Sequence, residues 1–201
     1  MKNTSKVLLL KVLIHLSALL PLLNLYFLAF NDELGADPVE AVIHFTGIGA
    51  LNLLLLTLSV TPIAQITKQG YLLQTRRLLG LYGFTYALFH LLNFLVFEVQ
   101  FDGALFISEV IERPYITIGM LAFLLLTALA ITSLDKLKRK MGKSWQRLHN
   151  ISYLIIILVV VHFYWSVKSE LISPFFYFIV TVILLIFRYK KIKRLISSVF
   201  F

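Results

Sequence analysis

The sequence predicts an all-α integral membrane protein, a bundle of six transmembrane helices with both termini in the cytoplasm. The first observation is composition: 59% of the 201 residues are hydrophobic, and the mean hydropathy is +0.87. Soluble domains contain only about 45–50% apolar residues. The second observation is that the apolar residues form long segments. The third is that the charges between those segments alternate in sign from one connection to the next.

Six segments are long and apolar enough to cross a bilayer, which takes roughly 20 residues of helix. Proline supports two boundaries, since it is tolerated in the first turn of a helix but disrupts its interior: Pro114 opens the fourth segment and Pro62 closes the second. Little chain remains outside the spans, so we expect a single domain over residues 1–201. The expected spans are residues 8–30, 42–62, 78–97, 114–133, 148–167 and 174–189.

Two classes of protein become less probable on sequence grounds. No internal repeat is apparent, which argues against a transporter built from inverted repeats. No Walker A run and no strand-borne dinucleotide-binding motif occurs either. Electrons from a nicotinamide would therefore have to arrive through another protein.

Basic residues lie almost entirely on one side of the predicted bundle. Of the 19 lysines and arginines, all except Arg113 and Lys168 fall at the termini or in the second and fourth connections. Of the 10 acidic residues, all except Asp135 fall in the other connections. Because loops rich in Lys and Arg stay in the cytoplasm, both termini are predicted to be cytoplasmic. Topology and anionic lipid explain the net charge of +9 better than nucleic-acid binding does.

Four of the five histidines lie inside or at the edges of predicted spans: His15, His90, His149 and His162. An ionisable side chain at membrane depth is unfavourable, so it usually ligates a metal, relays protons or binds a substrate. The fifth histidine, His44, begins the second span at the periplasmic surface. It is either an interfacial cap residue or a contact to a haem propionate, a quinone headgroup or a periplasmic partner.

His90 and His162 lie at similar depths on different spans. With a rise of about 1.5 Å per residue, His162 is roughly 7–8 Å to the periplasmic side of the midplane, and His90 is slightly to the same side. Two imidazoles on facing helices suit haem b, and the absence of cysteine excludes iron–sulfur clusters and covalent haem attachment. The alternatives are hydrogen bonds across the bundle, or relay groups in a small transporter or proton channel. Nearby phenylalanines suit a porphyrin face: Phe84, Phe89, Phe94 and Phe163.

His149 differs from these two in position. It lies at the cytoplasmic edge of the fifth span, about 20 Å along the helix from His162, so the two cannot serve the same iron. On an ideal helix they also point about 140° apart, and they share a seam only if the helix bends or contains a π-bulge. Arg76, by contrast, lies nearly on the same face of the third span as His90.

The histidines lie in runs that resemble the ferric-reductase-like transmembrane family, and the resemblance covers essentially the whole chain. These runs are Thr75–Leu81 leading to His90, Trp145–His149, His162–Lys168, Leu34–Pro38, His44–Gly47 and Arg113–Tyr115. The resemblance implies a multi-pass protein of the bacterial inner membrane that carries electrons from the cytoplasm to the periplasm.

The resemblance also assigns roles to the histidines. His90 and His162 match the outer-haem ligands of two-haem relatives, and His149 matches the inner ligand on the fifth span. The inner position on the third span falls on Arg76, which has no lone pair for iron. One haem b is therefore implied, and the inner site stays open between a second haem, where His149 pairs with His15, and a site for FMN.

Donors and partners follow from the same resemblance. Electrons would enter from the quinone pool or a cytoplasmic flavin reductase. The electrons would then pass to a periplasmic molybdopterin enzyme that reduces methionine sulfoxide in oxidised proteins. A separate enzyme is needed because this chain has no group for sulfoxide chemistry. Arg76, Arg77 and Arg147 are most simply topology signals, and together they would also suit a flavin phosphate or haem propionates through charge-assisted hydrogen bonds.

Overall fold

A computed structural model describes residues 3–167 and 171–189, and the regular elements in those ranges are all helical. Lys168, Glu170 and the basic residues after Tyr189, which support the predicted topology, lie outside the described residues. A 3₁₀ helix (Gly70–Thr75) leads into α3, and a π-helix (Phe94–Glu98) follows it. The α-helices are α1 (Asn3–Phe30), α2 (Pro38–Ile66), α3 (Arg76–Asn93), α4 (Gly103–Glu112), α5 (Pro114–Ile131), α6 (Asp135–Met141), α7 (Lys143–His149), α8 (Ser152–Ser166) and α9 (Ile172–Phe187).

Five helical segments in the described ranges are long and apolar enough to cross a membrane, and they correspond to the first five predicted spans. They are Asn3–Phe30, Pro38–Ile66, Gly70–Glu98, Pro114–Ile131 and Lys143–Ser166. The sixth predicted span is present as α9, an apolar helix of 16 residues, which is shorter than the roughly 20 residues that span a bilayer. The all-helical architecture is therefore confirmed, whereas the count of six spans stays a prediction.

Two helix boundaries differ from those expected. Pro62 lies inside α2, which continues to Ile66, so it does not close that span. The fifth span is not one continuous helix, because α7 ends at His149 and a turn at Asn150 and Ile151 precedes α8. The straight helix on which His149 and His162 would point about 140° apart is therefore interrupted between them.

The connection between α3 and α5 contains α4, and the connection between α5 and α8 contains α6 and α7. The Asp102 side chain caps α4 by accepting hydrogen bonds from the backbone N–H groups of Ala104 and Leu105. Gly142 separates α6 from α7 with a φ of +53°, a conformation that favours glycine. Short helices of this kind are difficult to predict from hydropathy because they do not cross the membrane.

The packing centres on α2, which contacts α1, α3, α8 and α9. One buried cluster joins α1, α2 and α3 around Leu22, Val42 and Tyr86. Two further clusters join α2 to α8 and α9, and α5 to α8. Many large apolar side chains face outward, among them Phe27 at 62% and Leu124 at 60% exposure, which produces a surface suited to lipid rather than water.

Candidate functional site

The two histidines at matched depth meet inside the bundle. His90 on α3 and His162 on α8 have ring centroids 6.1 Å apart, with ring planes at 81° to each other. The pair lies where the α2–α3 and α5–α8 helix pairs adjoin, since α3 packs on both α2 and α5. Sequence reasoning paired these residues by depth alone, and the structure shows that the rings also face a common position.

Each of the two rings is oriented by a backbone carbonyl. Nδ1 of His90 donates to the carbonyl of Ile43 over 2.9 Å, and Nδ1 of His162 donates to the carbonyl of Tyr115 over 2.7 Å. A carbonyl can only accept, so Nδ1 carries the proton in both rings and the lone pair of the neutral imidazole lies on Nε2. A hydrogen bond from the ring nitrogen that does not face the metal orients a metal-binding histidine and increases its basicity.

Two glycines give the rings the space that they occupy. A Cβ added at Gly47 on α2 would lie 3.0 Å from Nδ1 of His90, and one added at Gly119 on α5 would lie 2.7 Å from Nδ1 of His162. Any larger residue would displace the ring from its carbonyl. The imidazoles can approach these helices closely because neither glycine has a side chain.

The geometry fits a metal ion held between two imidazoles. Bonds from a metal to imidazole nitrogen are about 2 Å long, so two rings on opposite sides of one ion have centres about 6 Å apart. The observed 6.1 Å agrees with this separation. Both rings are protonated on the nitrogen that faces away from such an ion, so the donor set suits haem iron.

A buried polar chain follows His90 by one turn of α3. Asn93, only 4% exposed, accepts a hydrogen bond from the Tyr26 hydroxyl and donates to the Thr46 hydroxyl. The chain therefore joins α1, α2 and α3 next to the histidine pair. It also lies where α3 changes into the π-helix Phe94–Glu98, a local feature often found at functional sites.

His149 lies in a separate polar cluster at the end of the bundle that holds the connection between α5 and α8. The Thr132 hydroxyl donates to the carbonyl of Ala128, so it accepts a hydrogen bond from Nε2 of His149 over 3.1 Å. The Trp145 indole stacks on the His149 ring at 4.0 Å, and its N–H donates to the carbonyl of Thr132. Unlike His90 and His162, His149 uses Nε2 in a hydrogen bond to a side chain.

The three arginines proposed for the inner site have different surroundings. Arg76 is partly buried and lies within electrostatic range of His149. Arg77 forms an ion pair of 2.9 Å with Asp135, in which both side chains are largely exposed. Arg147 is exposed on α7. Of these residues, Arg76 is the one that the structure brings towards His149.

Of the remaining histidines, His15 is brought to neither cluster, whereas His44 lies within electrostatic range of His90. Nδ1 of His15 lies 2.5 Å from the Tyr82 hydroxyl on the α1–α3 contact, whereas His149 contacts α5 and α7 residues. His44 is exposed near the outer end of α2, and its ring is 6.3 Å from that of Phe163. The pairing of His15 with His149 stays a prediction that this arrangement does not favour.

The phenylalanines expected to face a porphyrin each contact a ring on another helix. Phe84 stacks on Phe123 of α5, and Phe163 contacts Tyr177 of α9. Phe89 contacts Tyr26 of α1, and Phe94 contacts Phe106 of α4. They are therefore part of the helix packing around the histidine pair.

Comparisons with known proteins agree with this architecture. The family model described as ferric reductase like transmembrane component matches residues 45–160, a range that contains His90 and His149 and ends just before His162. The chain belongs to this family. It is also 47% identical over 186 residues, covering 92% of this chain and 94% of the relative, to the protein-methionine-sulfoxide reductase heme-binding subunit MsrQ of Pectobacterium carotovorum subsp. carotovorum (strain PC1). No solved structure matches the chain.

Membership of the ferric reductase like family and the apolar helices establish a multi-pass bacterial membrane protein. Within that protein, sequence reasoning missed the carbonyls and glycines that position the rings. One signal was available, because the sequence separation from the carbonyl residue to the histidine is 47 in both halves, from Ile43 to His90 and from Tyr115 to His162. The glycine follows the carbonyl residue by one helical turn in each case. The α2–α3 and α5–α8 helix pairs therefore hold their histidines with the same spacing.

Proposed function

We propose that this chain is the haem b-binding electron-transfer subunit of a methionine sulfoxide reductase system. The observation that supports the proposal most strongly is the pair of facing imidazoles, each held through Nδ1 by a backbone carbonyl. The curated relative is named as a heme-binding subunit, which agrees with that donor set.

In this proposal His90 and His162 would hold one haem iron through their Nε2 lone pairs. A bound haem supplies reversible one-electron chemistry at its iron. The backbone carbonyls of Ile43 and Tyr115 accept hydrogen bonds from the Nδ1–H groups of the two rings. The Nε2 lone pairs therefore stay available to a metal ion. Gly47 and Gly119 leave room for the rings, and the buried Asn93 holds three helices together beside them.

The electron donor is proposed to be the quinone pool or a cytoplasmic flavin reductase. The acceptor is proposed to be a periplasmic molybdopterin methionine sulfoxide reductase of the MsrP type. This chain, proposed to be a single domain, contributes no sulfoxide-reducing site, so its role would be to conduct electrons towards the repair of oxidised periplasmic proteins.

The absorption spectrum of the purified protein tests the proposal. Protein produced with ample haem should be red, with the Soret band and the sharp reduced α-band of bis-histidine haem b. A correctly folded but colourless protein would contradict electron transfer and would favour the alternative, a small transporter or proton channel that uses the same histidines as relay groups.

We further propose that the chain crosses the membrane six times with both termini in the cytoplasm. Topology reporters fused at Lys140 and at the C-terminus should report a cytoplasmic location, and reporters at Asp37 and Asp102 a periplasmic one, because basic connections are retained inside. One inverted reporter would be enough to reject this arrangement, and it would reverse the proposed electron path.

At the cytoplasmic end, we propose that His149 and Arg76 serve a second cofactor, either an inner haem or FMN. His149→Ala should leave the spectrum of the outer haem largely intact and slow its reduction by a cytoplasmic donor, since His149 belongs to a separate cluster. Arg76→Ala should slow the same reduction, because a guanidinium suits a propionate or a flavin phosphate.

Donor-driven reduction kinetics should be compared with the dithionite-reduced spectrum in each variant. Loss of half the haem per polypeptide in His149→Ala would identify a true second haem, and His15 would become the next residue to substitute. Unchanged cofactor content and unchanged rates would show that His149 is an interfacial residue without a role in electron transfer.

A further inference from the structure

Two arginines, one on α3 and one at the end of α9, present buried N–H groups that have no hydrogen-bond acceptor in the described residues. Arg76 begins α3, and Arg188 immediately follows the last residue of α9. Nε of Arg76, and Nε and Nη2 of Arg188, are buried and unpaired within residues 3–167 and 171–189. The two guanidinium groups are close enough for their charges to interact. Buried donors without acceptors are rare in native structures, so each needs a partner from elsewhere.

The chain has no suitable acid to supply that partner. Asp135, the one acidic residue assigned to the cytoplasmic side, is already bonded to Arg77. The acids of the α1–α2 and α3–α5 connections lie at the other end of the antiparallel bundle. Glu170 lies outside the described residues, and α9, about 24 Å long, separates Ile172 from Arg188. The guanidinium groups of Arg76 and Arg188 therefore lie near each other, and no acidic side chain in the described residues neutralises them.

We propose that Arg76 and Arg188 together bind one anionic group of a ligand, a phosphate or a pair of carboxylates, at the cytoplasmic end of the bundle. Guanidinium groups present fixed pairs of N–H donors that match the oxygens of phosphate and carboxylate. One such anion would satisfy the unpaired donors and remove the repulsion between the two cations. The binding of the anion would also tie α9 to α3.

Two threonine hydroxyls in the bundle are buried and unpaired as well, within the described residues. Thr181 lies on the same face of α9 as Arg188, about 10 Å further into the bundle, and Thr61 lies near the cytoplasmic end of α2. Because α2 packs against α9, these hydroxyls extend the polar lining inward from the arginine pair. A ligand that carries the anion at one end would meet these hydroxyls if it extended between α2 and α9.

Two kinds of molecule carry this chemistry. One is the cofactor of the inner site, through a propionate pair or a flavin phosphate, and this source rests on the proposed function. The other is a phospholipid of the cytoplasmic leaflet, through its headgroup phosphate, and this source does not depend on electron transfer.

The test compares what the purified full-length protein retains. Haem and flavin are quantified by extraction, and phospholipid by phosphorus content after extensive detergent washing. Arg188→Gln should lose at least half of one of these three components, while Arg139→Gln, which removes an exposed charge from α6 on the same side, should lose none. Loss of haem or flavin identifies the cofactor as the source of the anion, and loss of phosphorus identifies the lipid.

Two further variants keep the test informative if Arg188→Gln folds poorly. Arg188→Lys retains the charge but not the paired donors, and it should bind the same component more weakly than the wild type. Arg188→Glu supplies a carboxylate that can pair with Arg76, so it should be at least as thermally stable as Arg188→Gln and yet retain the least ligand. Wild-type retention of all three components in Arg188→Gln, or equal loss in Arg139→Gln, would overturn the inference. If the outer-haem spectrum is normal in the same samples, the inference about the arginine pair has failed while the proposed function still stands.

Discussion

Replacement of His162 by alanine is expected to abolish the low-spin haem spectrum. The ring faces His90 at 6.1 Å, and its Nε2 is the lone-pair nitrogen because Nδ1 donates to Tyr115. One imidazole cannot maintain six-coordinate iron, so the variant should be high-spin or free of haem. The same result is expected for His90→Ala. Optical and electron paramagnetic resonance spectra of the purified variants measure the effect.

A matched control lies on the same helix. Tyr164→Ala removes an exposed ring of α8 that follows His162 closely, and it should retain the wild-type spectrum. Imidazole added to His162→Ala should restore low-spin haem, because the alanine variant leaves a space of the right size beside the Tyr115 carbonyl. A wild-type spectrum in either histidine variant would refute the proposed ligand pair.

Gly119→Ala is expected to have the second-largest effect, although it adds only one methyl group. The new Cβ would lie 2.7 Å from Nδ1 of His162, so the ring must move and lose its bond to the Tyr115 carbonyl. Loss of the hydrogen bond that orients a metal-binding histidine usually lowers affinity for the metal by about 10- to 100-fold. Haem titration of the washed protein and the midpoint potential of the retained haem should both change.

Gly80→Ala provides the control, since a Cβ there would meet only Thr57 at an ordinary 3.7 Å. Alanine is a better helix former than glycine by about 0.5–1 kcal/mol, so this variant should be as stable as the wild type or more stable. Gly47→Ala, with a contact of 3.0 Å to His90, should resemble Gly119→Ala in milder form. Equal haem affinity in Gly80→Ala and Gly119→Ala would show that the close approach of the His162 ring to Gly119 is not needed for haem binding.

Much of the fold and one part of the candidate site were predictable from the sequence. The segments of α1, α2, α3, α5 and α8 follow from apolar length alone, because every backbone polar group in a membrane must be satisfied within a helix or a barrel. The pairing of His90 with His162 followed from depth, which along a straight helix depends only on residue number.

The remaining features depend on how the helices rotate and lie beside one another. Hydropathy does not reveal that the Gly47 face of α2 meets His90, since exposed and buried positions of a membrane helix are both apolar. It does not decide between His15 and Arg76 as neighbours of His149 either, because that choice depends on α1 lying against α2 and α3. The sequence does not reveal the turn after His149 either, because Asn150 and Ile151 interrupt the helix without proline or glycine.

The division of the histidine pair between two helix pairs has a consequence for biogenesis. His90 is held by the carbonyl of α2, and His162, near the end of the described chain, is held by the carbonyl of α5. Each ring can therefore be oriented as soon as its own two helices have been inserted, but the two rings face each other only after α8 has left the ribosome. On the proposed function, haem would be captured late, and an early release of the nascent chain would leave one oriented histidine without its counterpart.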